Sequence, residues 1–208
     1  MKDVATFYAE LAESRRREQA LERTGFVKPP DLSLPIGLEI AIKNRWMISP
    51  VMACSVLADY SARVGYGSAE RDQIEYWYVR HARTNWLLHT GESDVVALEI
   101  DFRVARHCLA YLASDDCSWQ RTLHLAKKGR WQYLFACETD LPSLDERYCG
   151  LSLHSGKASI LLPPSRTLTG VEIAYADQYA QLLPAPEWLF EAVRLDQAEH
   201  SSSHFYQD

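Results

Sequence analysis

Apolar positions along the chain follow two periods, one helical and one extended. Val4, Phe7, Leu11 and Leu21 form a partial stripe that predicts a helix over residues 3–24, closed by Gly25. The segment from Lys28-Pro29-Pro30-Asp31 to Pro35 breaks it. Residues 37–44 predict a second helix, and Trp46-Met47-Ile48-Ser49-Pro50-Val51 a β-prone stretch holding a proline. Ser68 is expected to N-cap a helix that carries Ile74, Trp77, Tyr78 and His81 at helical spacing. Residues 86–91 read as a strand and turn, with Glu92-Ser93-Asp94 as a hairpin tip before the apolar run 95–102. A helix over 102–112 follows, its stripe made by Val104, Cys108 and Tyr111. Residues 122–126 and 131–136 are β-prone, and Lys127-Lys128-Gly129-Arg130 between them has the chemistry of a hairpin turn. A last strand over 159–162 stops at Pro163-Pro164, and a short helix runs from Trp188 to Leu195.

Helices mixed with hairpins predict an α+β fold rather than a doubly wound parallel sheet. The punctuation divides the chain into an N-terminal helical arm (1–35), a main domain (36–196) and a flexible, Ser-rich tail (197–208).

Composition narrows the class without naming a function. The chain has 208 residues, 47% apolar and 24% charged, which suits a globular domain with a real core. No apolar run approaches the roughly 18 residues of a membrane span, and the start lacks a secretory h-region, so a cytoplasmic protein without a membrane partner is expected. Five cysteines in no C-x-x-C pair predict reduced, mostly buried thiols rather than a zinc knuckle or a disulfide framework. A net charge of −6 is the opposite of the basic field that tight nucleic-acid binders carry, so any such contact must be local.

The strongest candidate chemistry is Val95-Val96-Ala97-Leu98-Glu99-Ile100-Asp101. In a strand, Glu99 and Asp101 project from one face, and paired carboxylates can hold Mg²⁺ or Mn²⁺ for phosphoryl transfer. Lys127, Lys128 and Arg130 on the hairpin, and Ser165-Arg166 after the double proline, are candidate phosphate contacts.

An ordered series of landmarks carries a resemblance. It runs through Trp46–Val51, Ala69 to Trp77, Asn85-Trp86-Leu87-Leu88-His89-Thr90-Gly91, Glu99-Ile100-Asp101, Pro163-Pro164-Ser165 with Gly170, and Pro186-Glu187-Trp188-Leu189. From Gly37 to Val193 the chain resembles the bifunctional DNA primase/polymerase N-terminal domain of the archaeo-eukaryotic primase superfamily. The resemblance implies an RRM-like palm: a mixed sheet with flanking helices and a hairpin-rich half. It implies Glu99 and Asp101 as catalytic metal ligands, with Mg²⁺ or Mn²⁺ as cofactor. Lys128, Arg130, Gln132, His154, Ser165 and Arg166 fall at nucleotide- or phosphate-binding places. The implied partners are a nucleotide or nucleic acid, and a helicase or other replication protein.

The departures matter as much. Gln132 stands where the family has a phosphate-binding histidine, and Ser152 where it has a third carboxylate. Lys157-Ala158 replaces a glycine pair, and Ala58-Asp59-Tyr60-Ser61 shows no lysine-proline element. One preorganised donor is worth about 3 kcal/mol of transition-state stabilisation, so two such losses predict trace or absent polymerisation. The expectation is a divergent nucleotidyltransferase-like domain, weakly active or inactive. A non-catalytic adaptor on the same fold and a metal-dependent nuclease are the alternatives. The nuclease is disfavoured by Arg103, where many nuclease cores carry lysine.

Overall fold

A computed structural model describes residues 25–51, 67–80, 84–101, 103–105, 109–110, 113, 117–127, 129–139, 141–142, 150–167 and 170–203, with side chains through 195. The expected helix over 3–24 lies outside the described residues. The chain forms two compact units, the first made of residues 1–89 and 159–173, the second of 90–158 and 174–208.

The first unit is built on strands β1 (Ile48–Val51), β2 (Asn85–His89) and β7 (Ser159–Leu162), antiparallel in the order β1-β2-β7. The central strand β2 is buried at every position, which is why its apolar Trp86-Leu87-Leu88 shows no alternation. His89 is satisfied there by two hydroxyls, Ser49 Oγ at 2.9 Å from Nε2 and Ser159 Oγ at 3.1 Å from Nδ1. Helix α1 (Ile36–Lys43) starts after Pro35, and Gly37 is required because a Cβ there would overlap the Pro163 carbonyl. Helix α2 (Arg71–Arg80) begins later than predicted. Ser68 forms a β-bridge to Ile48, while its Oγ accepts the Glu70 N–H at 3.1 Å. The buried Glu75 of α2 is paired with Lys28 at 2.7 Å and Arg71 at 3.4 Å.

The second unit holds β3 (Val95–Ile100), β4 (His124–Lys127), β5 (Arg130–Ala136), β6 (Leu151–His154), β8 (Ala174–Tyr175) and β9 (Leu183–Pro184). They form one sheet in the order β6-β3-β5-β4-β8, all antiparallel, with β9 added parallel to the end of β5. The fold is therefore α+β, as predicted. The β4–β5 hairpin is also as predicted, with Lys127 opposite Arg130 and Gly129 at φ +78° taking the left-handed turn position. β4 begins opposite Tyr133, and β9 continues the pairing at Phe135 and Ala136. Thr122 stitches this junction: its Oγ1 donates to the Leu134 carbonyl at 2.5 Å and accepts from Leu183 N–H at 3.0 Å.

Strand alternation gives the sheet two different faces. Val96, Leu98, Ile100, Tyr133, Phe135, Leu151 and Leu153 make one, a core closed by Ala105, Leu109, Leu189 and Val193. Leu189 and Val193 lie four apart on α3 (Glu187–Ser203), a longer helix than the predicted 188–195. The opposite face carries Glu99.

One local expectation is overturned. The predicted hairpin tip at Glu92-Ser93-Asp94 is a 3₁₀ turn (Gly91–Ser93) ending in a left-handed Asp94, and it joins strands of different sheets. Cys117, exposed, and Cys137, half-buried, are free thiols, and the other three cysteines lie outside the described residues.

Candidate phosphate and metal site

The register of the second sheet draws the central candidates into one row. Glu99 on β3 stands opposite Gln132 on β5 and opposite Ser152 on β6. Cross-strand partners have Cβ atoms about 5 Å apart, so these three side chains are neighbours on one face. The positions expected from the resemblance to hold an acid, a phosphate ligand and a second acid are thus adjacent in space. Gln132 extends the row to Leu125, and Leu125 to Tyr175. His154, two residues after Ser152, lies opposite Ala97 on the same face.

Glu99 is nearly enclosed, and its two oxygens are both engaged. Lys127 Nζ donates to Oε2 at 2.8 Å and Arg130 Nη1 to Oε1 at 3.0 Å. Burial alone would push the Glu99 carboxyl up, but Lys127 and Arg130 overcome it and hold the group below its usual range. Hairpin geometry explains the encounter: Lys127 and Arg130 are paired across the β4–β5 turn, and Arg130 alternates with Gln132 onto the face that Glu99 occupies.

Asp101 lies one step past the end of β3, where its N–H reaches the Gly150 carbonyl at 2.9 Å. It caps the next helical turn. Its carbonyl accepts from Ala105 N–H at 2.8 Å, and its Oδ1 accepts from Arg103 N–H at 3.0 Å. The Arg103 guanidinium folds back as a fork, Nε to Oδ1 at 3.0 Å and Nη2 to Oδ2 at 2.6 Å. Arg103 thereby lowers the Asp101 carboxyl to about 2. Arg130 Nε lies 4.0 Å from Oδ2, so it faces both carboxylates.

Gln132 is wholly buried, and neither Nε2 nor Oε1 has a hydrogen-bond partner. Tyr175, two strands away in the same row, also buries an unpartnered hydroxyl, and burial raises its phenol well above the usual value. His154 is lowered by burial, opposed by the Glu99 charge and assisted by Lys127. Its imidazole is therefore biased toward the neutral form.

The remaining candidates fall elsewhere. Lys128 lies outside the described residues. Ser165 and Arg166 belong to the first unit. The Ser165 hydroxyl accepts from Trp86 N–H at 2.7 Å and donates to the Trp86 carbonyl at 3.2 Å. The N–H groups of Ser165, Arg166 and Thr167 donate to the Leu162 carbonyl, Asn85 Oδ1 and the Val171 carbonyl. All three N–H groups expected to face a phosphate are thus bonded within the first unit, that of Arg166 to Asn85 of β2. The exposed Arg166 guanidinium comes within 3.8 Å of Glu172.

A two-metal centre clamps its ions about 3.5–4 Å apart, and Mg²⁺ demands near-octahedral oxygen ligation. Here Ser152 offers a hydroxyl where a third carboxylate is needed, and ammonium or guanidinium groups already hold all four oxygens of Glu99 and Asp101. Among the described residues, no three His, Cys, Asp or Glu side chains group as metal ligands. The described side chains do not fit a two-metal centre; Asp140, Asp145 and Glu146, the other carboxylates near this motif in sequence, lie outside the described residues. They make a compact cationic cluster, in which Lys127, Arg130 and Arg103 outnumber the two carboxylates. Lys127, expected as a phosphate contact, is also an ion-pair partner of Glu99, and Arg103, expected only to disfavour a nuclease, holds Asp101. The spacing of Arg103 from Asp101, two residues on after a strand end, is the signal of the capping fork.

Among the described residues, no helix is long and apolar enough to cross a membrane. No curated protein matches the chain. The family model described as bifunctional DNA primase/polymerase, N-terminal, matches residues 47–188. That span holds every described strand of both sheets, and it includes every residue of the Ser152–Glu99–Gln132 row. With a match over more than half its length, the chain belongs to the bifunctional DNA primase/polymerase N-terminal family.

Proposed function

We propose that this primase/polymerase-like domain binds a nucleotide or a nucleic-acid phosphate and has lost efficient nucleotidyl transfer. The family is generally metal-dependent. The observation that carries the reading is the Glu99 row: Gln132 on one side, Ser152 on the other, and both Glu99 oxygens held by Lys127 and Arg130. Nucleotidyl transfer needs carboxylates to position its metals and donors to hold the triphosphate. Here the donors exceed the free carboxylates, so binding is favoured over turnover. The nuclease alternative needs the same two carboxylates as metal ligands and loses support with them.

The test is incorporation of labelled nucleotide on a primed template with Mg²⁺ or Mn²⁺, beside a Glu99→Ala/Asp101→Ala control. Incorporation at the level of the control is expected, together with measurable nucleotide binding. Incorporation that the control abolishes would show a working polymerase and overturn the loss of turnover. Nucleotide binding undetectable by calorimetry would overturn the binding role.

A further inference from the structure

We propose that the cluster is a polyphosphate site independent of divalent metal, in which Lys127 and Arg130 take a cation's place on Glu99 and meet a nucleoside triphosphate directly. The inference rests on the binding role proposed above and adds its mode.

Three observations converge on it. First, both cations are held by Glu99 and still reach solvent: Lys127 donates to it at 2.8 Å and Arg130 at 3.0 Å. Both side chains keep a solvent-facing part, 22% of Lys127 and 35% of Arg130. Second, their spacing is fixed by the fold. As facing residues of a tight hairpin they stand about one cross-strand distance apart, roughly 5 Å, which is the scale of neighbouring phosphates. Third, the wholly buried Gln132 amide, next to Glu99 in the row, has a donor with no partner in the protein. A buried donor left unmade is costly, and a ligand oxygen would satisfy it.

The ligand class follows from charge. A nucleic-acid strand needs a basic track along several phosphates, which a chain of net charge −6 opposes. A short polyphosphate needs only this one cluster. Glu99 then acts as a positioning residue, aiming Lys127 and Arg130 while competing with the ligand for them.

That competition gives the test its sign. Titration calorimetry is run on the full chain with a nucleoside triphosphate, inorganic triphosphate and a single-stranded oligonucleotide, each in EDTA and in Mg²⁺. Both triphosphates are expected to bind in EDTA and the oligonucleotide more weakly. Glu99→Gln should tighten binding in EDTA by releasing the two cations. Adding Lys127→Gln to Glu99→Gln should weaken it by about tenfold, the value of one charge-assisted bond, without stranding a buried charge. Binding that appears only with Mg²⁺ and disappears in Glu99→Gln overturns this inference and leaves the binding role standing. Binding of the oligonucleotide above the triphosphates overturns the ligand class. No binding under either condition overturns both proposals.

Discussion

Replacing Gln132 by leucine should stabilise the protein. The residue is wholly buried on β5, and its amide oxygen and nitrogen both lack hydrogen-bond partners. Each buried unsatisfied polar atom costs about 1–3 kcal/mol in lost hydration, while leucine fills a similar volume without that cost. The neighbouring Leu125 offers an apolar contact in the same row. Allowing for imperfect packing of the branched side chain, the gain expected is about 2 kcal/mol, which for a protein of this size is roughly 4–8 °C in Tm. Urea unfolding followed by tryptophan fluorescence measures it, with Gln132→Ala as the control that removes the same two atoms and leaves a void. Leucine should exceed both wild type and alanine. A destabilised leucine variant would mean that the amide is satisfied in solution, and the reasoning that treats it as a retained cost would fail. The same variant should bind triphosphate less well, because a stability sacrifice inside a binding row is explained by the ligand it serves.

Other consequences can be checked independently. Asp101, held by Arg103 at about 2 against an ordinary 3.8, contributes stability above pH 3.8 that is lost as pH falls toward 2. Asp101→Asn should flatten that acid limb in pH-dependent unfolding, and an unchanged limb would refute the pairing. His154, depressed by burial, should make stability fall as pH drops below 6.5, and His154→Asn should remove that slope in the same titration. Gly37→Ala should cost about 1–3 kcal/mol or more by overlap with the Pro163 backbone, read as a lowered urea midpoint. Trp119→Ala, in the core against Tyr133 and Trp188, should cost about 3–5 kcal/mol, and the half-exposed Trp131→Ala distinctly less; equal losses by the same assay would refute the burial ranking.

Local chemistry made part of this fold legible. The β4–β5 hairpin was readable because Gly129 takes the positive φ its turn requires and apolar residues bracket a charged tip. The Glu99–Asp101 alternation was readable because a strand's period is two. The turn at Gly91–Ser93 misled for an equally physical reason. Glu92-Ser93-Asp94 has hairpin composition, but what separates β2 from β3 is the pairing of β2 with β7 far along the chain. No short window contains that partner. The surroundings of Ser165 were hidden likewise: its hydroxyl bonds the Trp86 backbone, a contact between distant segments.

The charges around Glu99 act together, which is why the site cannot be judged one position at a time. A carboxylate flanked by a second acid carries more negative charge than local cations can neutralise, and divalent metal is the natural remedy. With Ser152 in the flanking place, Glu99 presents one charge to two cations, Lys127 and Arg130. Asp101 is matched by its own Arg103. A further divalent cation would then enter a region already carrying excess positive charge, and it would have to break charge-assisted bonds to reach an oxygen. Ser152 in place of an acid and the two hairpin cations therefore reinforce each other. The same cations that would oppose a metal would attract a phosphate, so the proposed loss of turnover and the proposed binding rest on one arrangement.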